Sequence, residues 1–337
     1  MISLRQFFGK YSGWLRSFKA VYVINNLLNS NHLKHNAVLY QKYGLKKSVY
    51  APIGSSDFKN TNNELPWLDQ ANAKERLITH PEFAIFSSEI QAQLLHFVDE
   101  GYLILKNFFP KEAVDHLNAD MDRLLQQHAV DFNYTGKKIM ESFRVSEVAN
   151  REFFRNPRLL NLLNFIMGKQ VIPFQSINFI EGSEQRAHSD SIHMTTEPKG
   201  YLIAAWMALE DCYEGNGPLF FYPKSHRLPY IMTPDYPSGN TSWLIGNESN
   251  RRYEDKIATV IFENQLQKKH FIAQKGDVLL WHANLIHGGE PIRDKGTTRK
   301  SMVAHYFTEG VICYHEMSQR PALLEIISAV ESNPPAS

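Results

Sequence analysis

Gln185-Arg-Ala-His188-Ser-Asp190 places an imidazole and a carboxylate two positions apart, which decides how the rest of the chain is read. In an extended segment side chains alternate faces, so His188 and Asp190 point the same way and lie within reach of one ion. Further on, Leu279-Leu-Trp-His-Ala-Asn-Leu-Ile-His287-Gly-Gly offers a second imidazole. Two imidazoles and a carboxylate on one face of a metal suit ferrous iron and leave the opposite positions open for other ligands. His282 and His287 are both candidates for the second imidazole, and on one strand they would face opposite sides. The glycines after His287 would let backbone pass close to a site. A His-x-acid triplet is weak by itself, since about one or two are expected by chance in this composition. His80-Pro-Glu82 is another, but its proline and helix-loop setting provide no strand to present the pair.

With 337 residues and 43% hydrophobic content the chain can bury a substantial core, and we expect one catalytic domain plus an extension. The net charge of +1 makes no case for nucleic acid. The charge is unevenly spread, however. No acidic residue precedes Asp57, whereas Arg5, Lys10, Arg16, Lys19, Lys34, Lys42, Lys46 and Lys47 all do. Residues 1–85 therefore form a basic helical and loop extension, 86–312 the catalytic domain with a polar insertion at 228–268, and 313–337 a C-terminal helix and tail. In the extension, Leu4, Phe7, Phe8, Tyr11, Trp14, Leu15, Phe18, Val21 and Tyr22 recur at near-helical spacing with basic residues between them. A helix docked on the domain accounts for this. A weak membrane-surface or protein contact through the basic arm is the second reading, and an organelle-targeting segment the third. Two cysteines make neither a disulfide framework nor a metal cluster, so a reducing, cytoplasmic setting is expected. The chain has no apolar run long enough to span a membrane.

Periodicity predicts helices over 87–98, from Pro110 onward, over 156–167 and over 253–267. Runs rich in Val, Ile, Phe and Tyr predict strands at 102–105, 171–180, 201–209, 218–222, 277–281 and 299–307. Their spacing suggests a double-sheet β fold with flanking helices. So long an insertion as 228–268 is usually a lid or binding wall.

The order of blocks is more specific than any one of them. Gly182-Ser-Glu-Gln-Arg-Ala-His188-Ser-Asp190 is followed by Ala205-Trp206-Met-Ala-Leu-Glu-Asp211 and Asn216-Gly217-Pro-Leu-Phe-Phe-Tyr-Pro-Lys-Ser225-His226-Arg227. Lys275-Gly-Asp-Val-Leu and His287-Gly-Gly come next, and then Arg299-Lys-Ser301. From about residue 92 to 310 this succession resembles the phytanoyl-CoA dioxygenase family of Fe(II)- and 2-oxoglutarate-dependent oxygenases; the basic arm lies outside it. The resemblance implies a double-stranded β-helix (jelly-roll, cupin-like) core, with His188, Asp190 and His287 holding Fe(II). It also implies 2-oxoglutarate as co-substrate, O2 as oxidant, and hydroxylation of a small-molecule or carrier-linked substrate.

A dicarboxylate needs a fixed cation, and a guanidinium matches a carboxylate with two parallel hydrogen bonds. Arg299 stands where the family's co-substrate arginine does, within a residue or so, and Ser301 would share its face and add a hydroxyl. A surface ion pair is the plain alternative for Arg299, with Arg293 and Lys300 as fallback cations. Gln185 resembles a co-substrate-binding amide of the family, and Asn178 is a second polar residue leading toward the ligand pair. Trp206 either walls the oxoglutarate pocket or is a core tryptophan. His193 lines the substrate cavity or sits in a loop. His226 reads as structural, and Arg144 either holds an anionic group or pairs within its helix. The same ligands around Zn²⁺ would make a hydrolase, and a catalytically silent jelly-roll binding module is the other rival.

Overall fold

The computed structural model describes residues 17–58, 64–133 and 136–324. Among these, the helices are α1 (Lys19–Leu28), α2 (Asn36–Lys42), α3 (Ala73–Thr79), α4 (Ser88–Glu100), α5 (Lys111–Gln126), α6 (Pro157–Met167) and α7 (Ser249–Glu263). The strands are β1 (Tyr102–Leu105), β2 (Lys138–Met140), β3 (Val171–Phe179), β4 (Thr195–Glu197), β5 (Leu202–Ala208), β6 (Leu219–Phe221), β7 (Lys269–Phe271), β8 (Val278–His282), β9 (His287–Gly289), β10 (Ser301–Thr308), β11 (Ile312–His315) and β12 (Arg320–Pro321).

Local chemistry sets the helix ends. The Ser87 hydroxyl accepts the Ile90 N–H at 3.3 Å to start α4, and Gly101, at φ 82°, stops it. Asn156 caps α6 through Leu159 N–H at 3.1 Å, with Pro157 in its first turn. The expected helix over 253–267 is corrected to Ser249–Glu263. Asn264 and Gln265, the latter at φ 51°, end it before Gln267.

Six strands form an antiparallel sheet in the order β1-β8-β5-β10-β3-β2. Two three-stranded sheets, β7-β6-β9 and β12-β11-β4, complete a jelly roll. The large sheet is apolar on both faces, so β5, β8 and β10 are buried along their whole length. Ile203, Ala205, Met207, Val278, Leu280, Met302 and Tyr306 pack with Leu94, Leu117 and Leu163 of the helices. Trp206, Leu279, Trp281 and Val303 alternate to the other face and pack against Leu219, Phe221 and Phe271 of the smaller sheet. The site opens inside this second layer.

The N-terminal extension is built into the domain where it is described. Tyr40, Ile53 and Phe58 share a core with Ile312 and Tyr314, and the Phe58 and Tyr314 rings stack at 5.6 Å. Lys19 is buried and donates to Gln319 Oε1 at 2.8 Å and to the Thr241 carbonyl at 2.5 Å, which favours the docked helix for that stretch. Residues 1–16, which carry most of the arm's aromatic pattern, lie outside the described residues. The helix expected from 313 is also corrected. Residues 312–315 are strand β11, paired with β4, because the apolar run Val311–Tyr314 finds an open sheet edge there. Residues 325–337 lie outside the described residues. Among the described residues no helix is long and apolar enough to cross a membrane.

Glu316 ties these segments together. It is fully buried and accepts from Ser55 N–H (2.8 Å), Ser55 Oγ–H (2.7 Å), Thr233 N–H (3.1 Å) and the Thr233 hydroxyl. Glu316→Ala strands these donors and should cost on the order of 3 kcal/mol, read as a lower denaturant midpoint; an unchanged midpoint would contradict the role. A second expectation concerns pH. Burial holds the imidazole pKa of His35 and His315 down to about 4 and that of His226 to about 3, from an ordinary 6.5. The unfolded chain then binds more protons than the folded one once pH drops below 6.5, so this stability is present above 6.5 and is lost toward pH 4. Melting temperatures over that range should fall progressively, and a flat profile down to pH 4.5 would refute it.

Candidate active site

A reciprocal backbone pair brings the two imidazoles together. His188 N–H donates to the His287 carbonyl and His287 N–H to the His188 carbonyl, both at 2.9 Å. Side chains of such a directly opposed pair emerge on one face, and the rings stand 4.5 Å apart. Both glycines after His287 are required by close packing. A Cβ on Gly288 would lie 2.6 Å from the Gln185 carbonyl, and one on Gly289 would lie 2.4 Å from Ser183 Oγ. Ser189 is extended, as expected, but Asp190 opens a short 3-10 turn, Asp190–Ile192, instead of prolonging a strand. The turn still aims its carboxylate at the rings. One potential ligand atom from each of His188, Asp190 and His287 lies within 4.8 Å of the others.

Hydrogen bonds decide which atoms face the centre. His188 Nδ1 donates to the Arg186 carbonyl at 2.8 Å and His287 Nδ1 to the Leu285 carbonyl at 2.9 Å. In the neutral form the lone pair of each ring is therefore on Nε2. Asp190 is divided in the same way. Its Oδ2 accepts from Trp281 Nε1 at 2.7 Å and faces His305 Nε2 at 3.5 Å, while Oδ1 lies 3.8 Å from His287 Nε2 and 4.0 Å from His188 Nε2. Burial alone would raise the Asp190 carboxyl, yet His287, His305 and His188 hold it well below the usual carboxylate range. Burial, followed by His287, lowers the His188 pKa. Nε2 of each imidazole and Oδ1 of Asp190 thus face one point, a donor set that fits a divalent first-row metal such as Fe(II).

These groups line a cavity of about 740 Å³ together with Arg299, Trp206 and Gln185. Arg299 is 1% exposed, and its guanidinium pairs with no carboxylate among the described residues. Its Nε donates to the Gly217 carbonyl at 3.2 Å and Nη1 to Ser301 Oγ at 2.6 Å, while its Cζ lies 5.4 Å from the Trp206 ring and 5.8 Å from the Phe179 ring. Ser301 thus acts on Arg299 itself. The Gln185 amide nitrogen is 3.1 Å from His188 Nε2, and its oxygen is 3.3 Å from Lys138 Nζ.

Asn178 is a correction. On β3 it alternates with the cavity-lining Ile177 and Phe179, so it faces away and accepts from the Ser142 hydroxyl at 2.6 Å. His282 also faces outward, pairing with Asp69 at 3.0 Å. His226 packs against it at 5.6 Å, and Arg144 pairs with Glu141 at the surface. Lys300 pairs with Asp122 at 3.1 Å, and neither it nor Arg293 lines the cavity. His193 does line it. The sequence missed Trp281, His305, Lys138 and Tyr253. Tyr253, from the insertion, accepts the Ser189 N–H at 3.0 Å and so pins the backbone between the two ligands from behind. Inward alternation with Leu279 could have found Trp281, and alternation with Ser301 and Val303 could have found His305. Nothing local marks Tyr253. Trp281→Phe frees Oδ2 and should weaken metal binding about 10- to 100-fold in an equilibrium titration; unaltered affinity would show that Trp281 does not orient Asp190.

Comparison with known proteins agrees with this geometry. The profile of the phytanoyl-CoA dioxygenase (PhyH) family matches residues 97–301. The peroxisomal phytanoyl-CoA dioxygenase of Rattus norvegicus is 22% identical over 235 residues, spanning 62% of this chain and 65% of the relative. The ectoine dioxygenase of Nocardia farcinica is 26% identical over 215 residues, spanning 58% and 70%. Among solved structures, the non-haem α-ketoglutarate-dependent epimerase SnoN from nogalamycin biosynthesis superposes with a TM-score of 0.53 at 17% identity, covering 66% of this chain and 84% of SnoN. EctD from S. alaskensis, solved with 2-oxoglutarate and 5-hydroxyectoine, gives 0.51 at 21% identity, covering 66% and 76%. The chain spans 65%, just under two thirds, of the rat enzyme's length, and the range matched by the family model, 97–301, includes His188, Asp190, His287 and Arg299. With the profile matching well over half of its residues, the chain belongs to the phytanoyl-CoA dioxygenase family.

Proposed function

We propose that this chain is a non-haem Fe(II)- and 2-oxoglutarate-dependent dioxygenase that hydroxylates an unactivated C–H of a small-molecule or acyl-thioester-type substrate. The observation that carries the proposal is Arg299, a buried cation without a carboxylate partner among the described residues, in the cavity of the His188, Asp190 and His287 triad. A buried unpaired charge is costly and persists where a ligand completes it. A zinc hydrolase gives this arginine no duty, and a silent module has no need of imidazoles turned with Nε2 toward the cavity by their outer hydrogen bonds. The buried free thiols Cys212 and Cys313 fit a reducing, cytoplasmic setting.

His188, Asp190 and His287 would hold the iron. When bound, iron with 2-oxoglutarate and O2 supplies the oxidation, in which the keto acid becomes succinate and CO2 and the substrate gains a hydroxyl. Gly217 and Ser301 fix Arg299 so that its remaining N–H groups receive the distal carboxylate. Trp206 and Phe179 flank that guanidinium and keep water from it. Lys138, whose pKa burial lowers while Asp190 raises it, would offset charge on the metal side. Gln185, whose oxygen is 3.3 Å from that ammonium, would turn its amide from His188 Nε2 once that lone pair binds the metal.

Incubation with Fe(II), 2-oxoglutarate and O2 should release succinate, and Asp190→Ala should abolish it. Arg299→Gln should raise the KM for 2-oxoglutarate about 100-fold, the value of a charge-assisted pair of roughly 3 kcal/mol. Turnover with Zn²⁺ in place of iron, or an unaltered KM in the Arg299 variant, would overturn the assignment.

A further inference from the structure

One end of the cavity is walled by residues that the family match does not cover. Tyr22 comes from α1, and His315, Met317, Ser318 and Arg320 come from the β11–β12 hairpin, all outside 97–301. His315 and Arg320 are direct partners across that hairpin, so their side chains share a face. His193 connects this end to the metal-facing triad, its ring 5.8 Å from His188 and 5.4 Å from His315.

The polar groups here are donors. Arg320 is exposed at the mouth, its Cζ 5.6 Å from the Tyr22 ring, and pairs with no carboxylate among the described residues. His315 Nδ1 accepts the Ser318 N–H at 3.3 Å, so the neutral ring carries its proton on Nε2 and can donate it. Ser318 Oγ is buried without a hydrogen-bond partner among the described residues. A guanidinium, an imidazole N–H and a hydroxyl, with no acid paired to them among the described residues, make a receptor for an oxyanion. Met194, Cys313 and Met317 in the same wall are apolar.

We propose that the substrate is an amphiphilic acid, with an apolar body and a carboxylate or phosphate head, and that Arg320, His315 and Ser318 receive the head. This rests on the preceding section for the reaction, but its binding test does not. Binding of octanoate, octyl phosphate and octanol to the full chain, without iron, is measured by calorimetry and thermal shift. The anions should bind about tenfold more tightly than octanol, and R320Q should reduce that preference to within about twofold, with R320K retaining most of it. Preference for octanoate over octyl phosphate would identify a free acid and the reverse a phosphate-bearing carrier, each in support. Should R320Q fail to fold, S318A and R320K take its place, and a reduced preference in S318A supports the receptor. Equal binding of octanol, a preference that survives in R320Q, or one lost in R299Q instead would overturn the proposal. Failure of succinate formation with the anion preference intact would fell the reaction assignment and leave this one standing.

Discussion

The reciprocal backbone pair between His188 and His287 is the constraint on which the site depends. Two N–H···O bonds at 2.9 Å fix the relative height of two strands that are distant in sequence, and so fix the separation of the imidazoles before any ion arrives. A slip of one residue in this register would turn one ring to the opposite face. The glycines after His287 permit the close approach, because any Cβ there would strike the loop that carries Gln185. The cavity, its outer hydrogen bonds and the position of Arg299 are arranged around that pair.

Around it the chain spends polar groups on orientation. Carbonyls of Arg186 and Leu285 set the ring tautomers, and the Trp281 indole removes one carboxylate oxygen of Asp190 from contention. Tyr253, at the heart of the insertion, holds the backbone between the ligands. The insertion therefore acts largely as a brace behind the site, with Asn250 reaching the cavity. Glu316 and Lys19 join the N-terminal arm, the insertion and the C-terminal hairpin, beside the apolar contacts these segments share. The result is a site whose walls come from the whole length of the described chain.

Cations mark the two ends of this cavity, and their settings differ. Arg299 is buried between two aromatic faces and locked by a carbonyl and a hydroxyl, which suits one small and invariant dianion. Arg320 lies exposed on a two-residue edge strand, beside a tyrosine from another segment, which suits a head group that varies in size. On the two proposals above, 2-oxoglutarate would be held by residues inside the family match and the substrate's head group by a hairpin outside it.

Much of this was legible from residues alone. The long strands β3, β5, β8 and β10 and helices α4 to α6 follow from runs of apolar residues bounded by Pro, Gly or Asn. His188, Asp190, His287 and Arg299 stand out through motif order. The short strands β4, β9, β11 and β12 carry too few residues for any period to show, and β11 lies where the sequence reading expects a helix. Asn178 turns away from the cavity, and polarity near a motif does not reveal on which face of a strand a side chain stands. Sequence determined which chemical groups the protein has for binding a metal and a diacid, since these are properties of single residues and their neighbours. Tertiary structure alone decided which atoms face inward. Lone pairs, register and the partners of Asp190 are set by hydrogen bonds between segments far apart in the chain, and no local pattern encodes them.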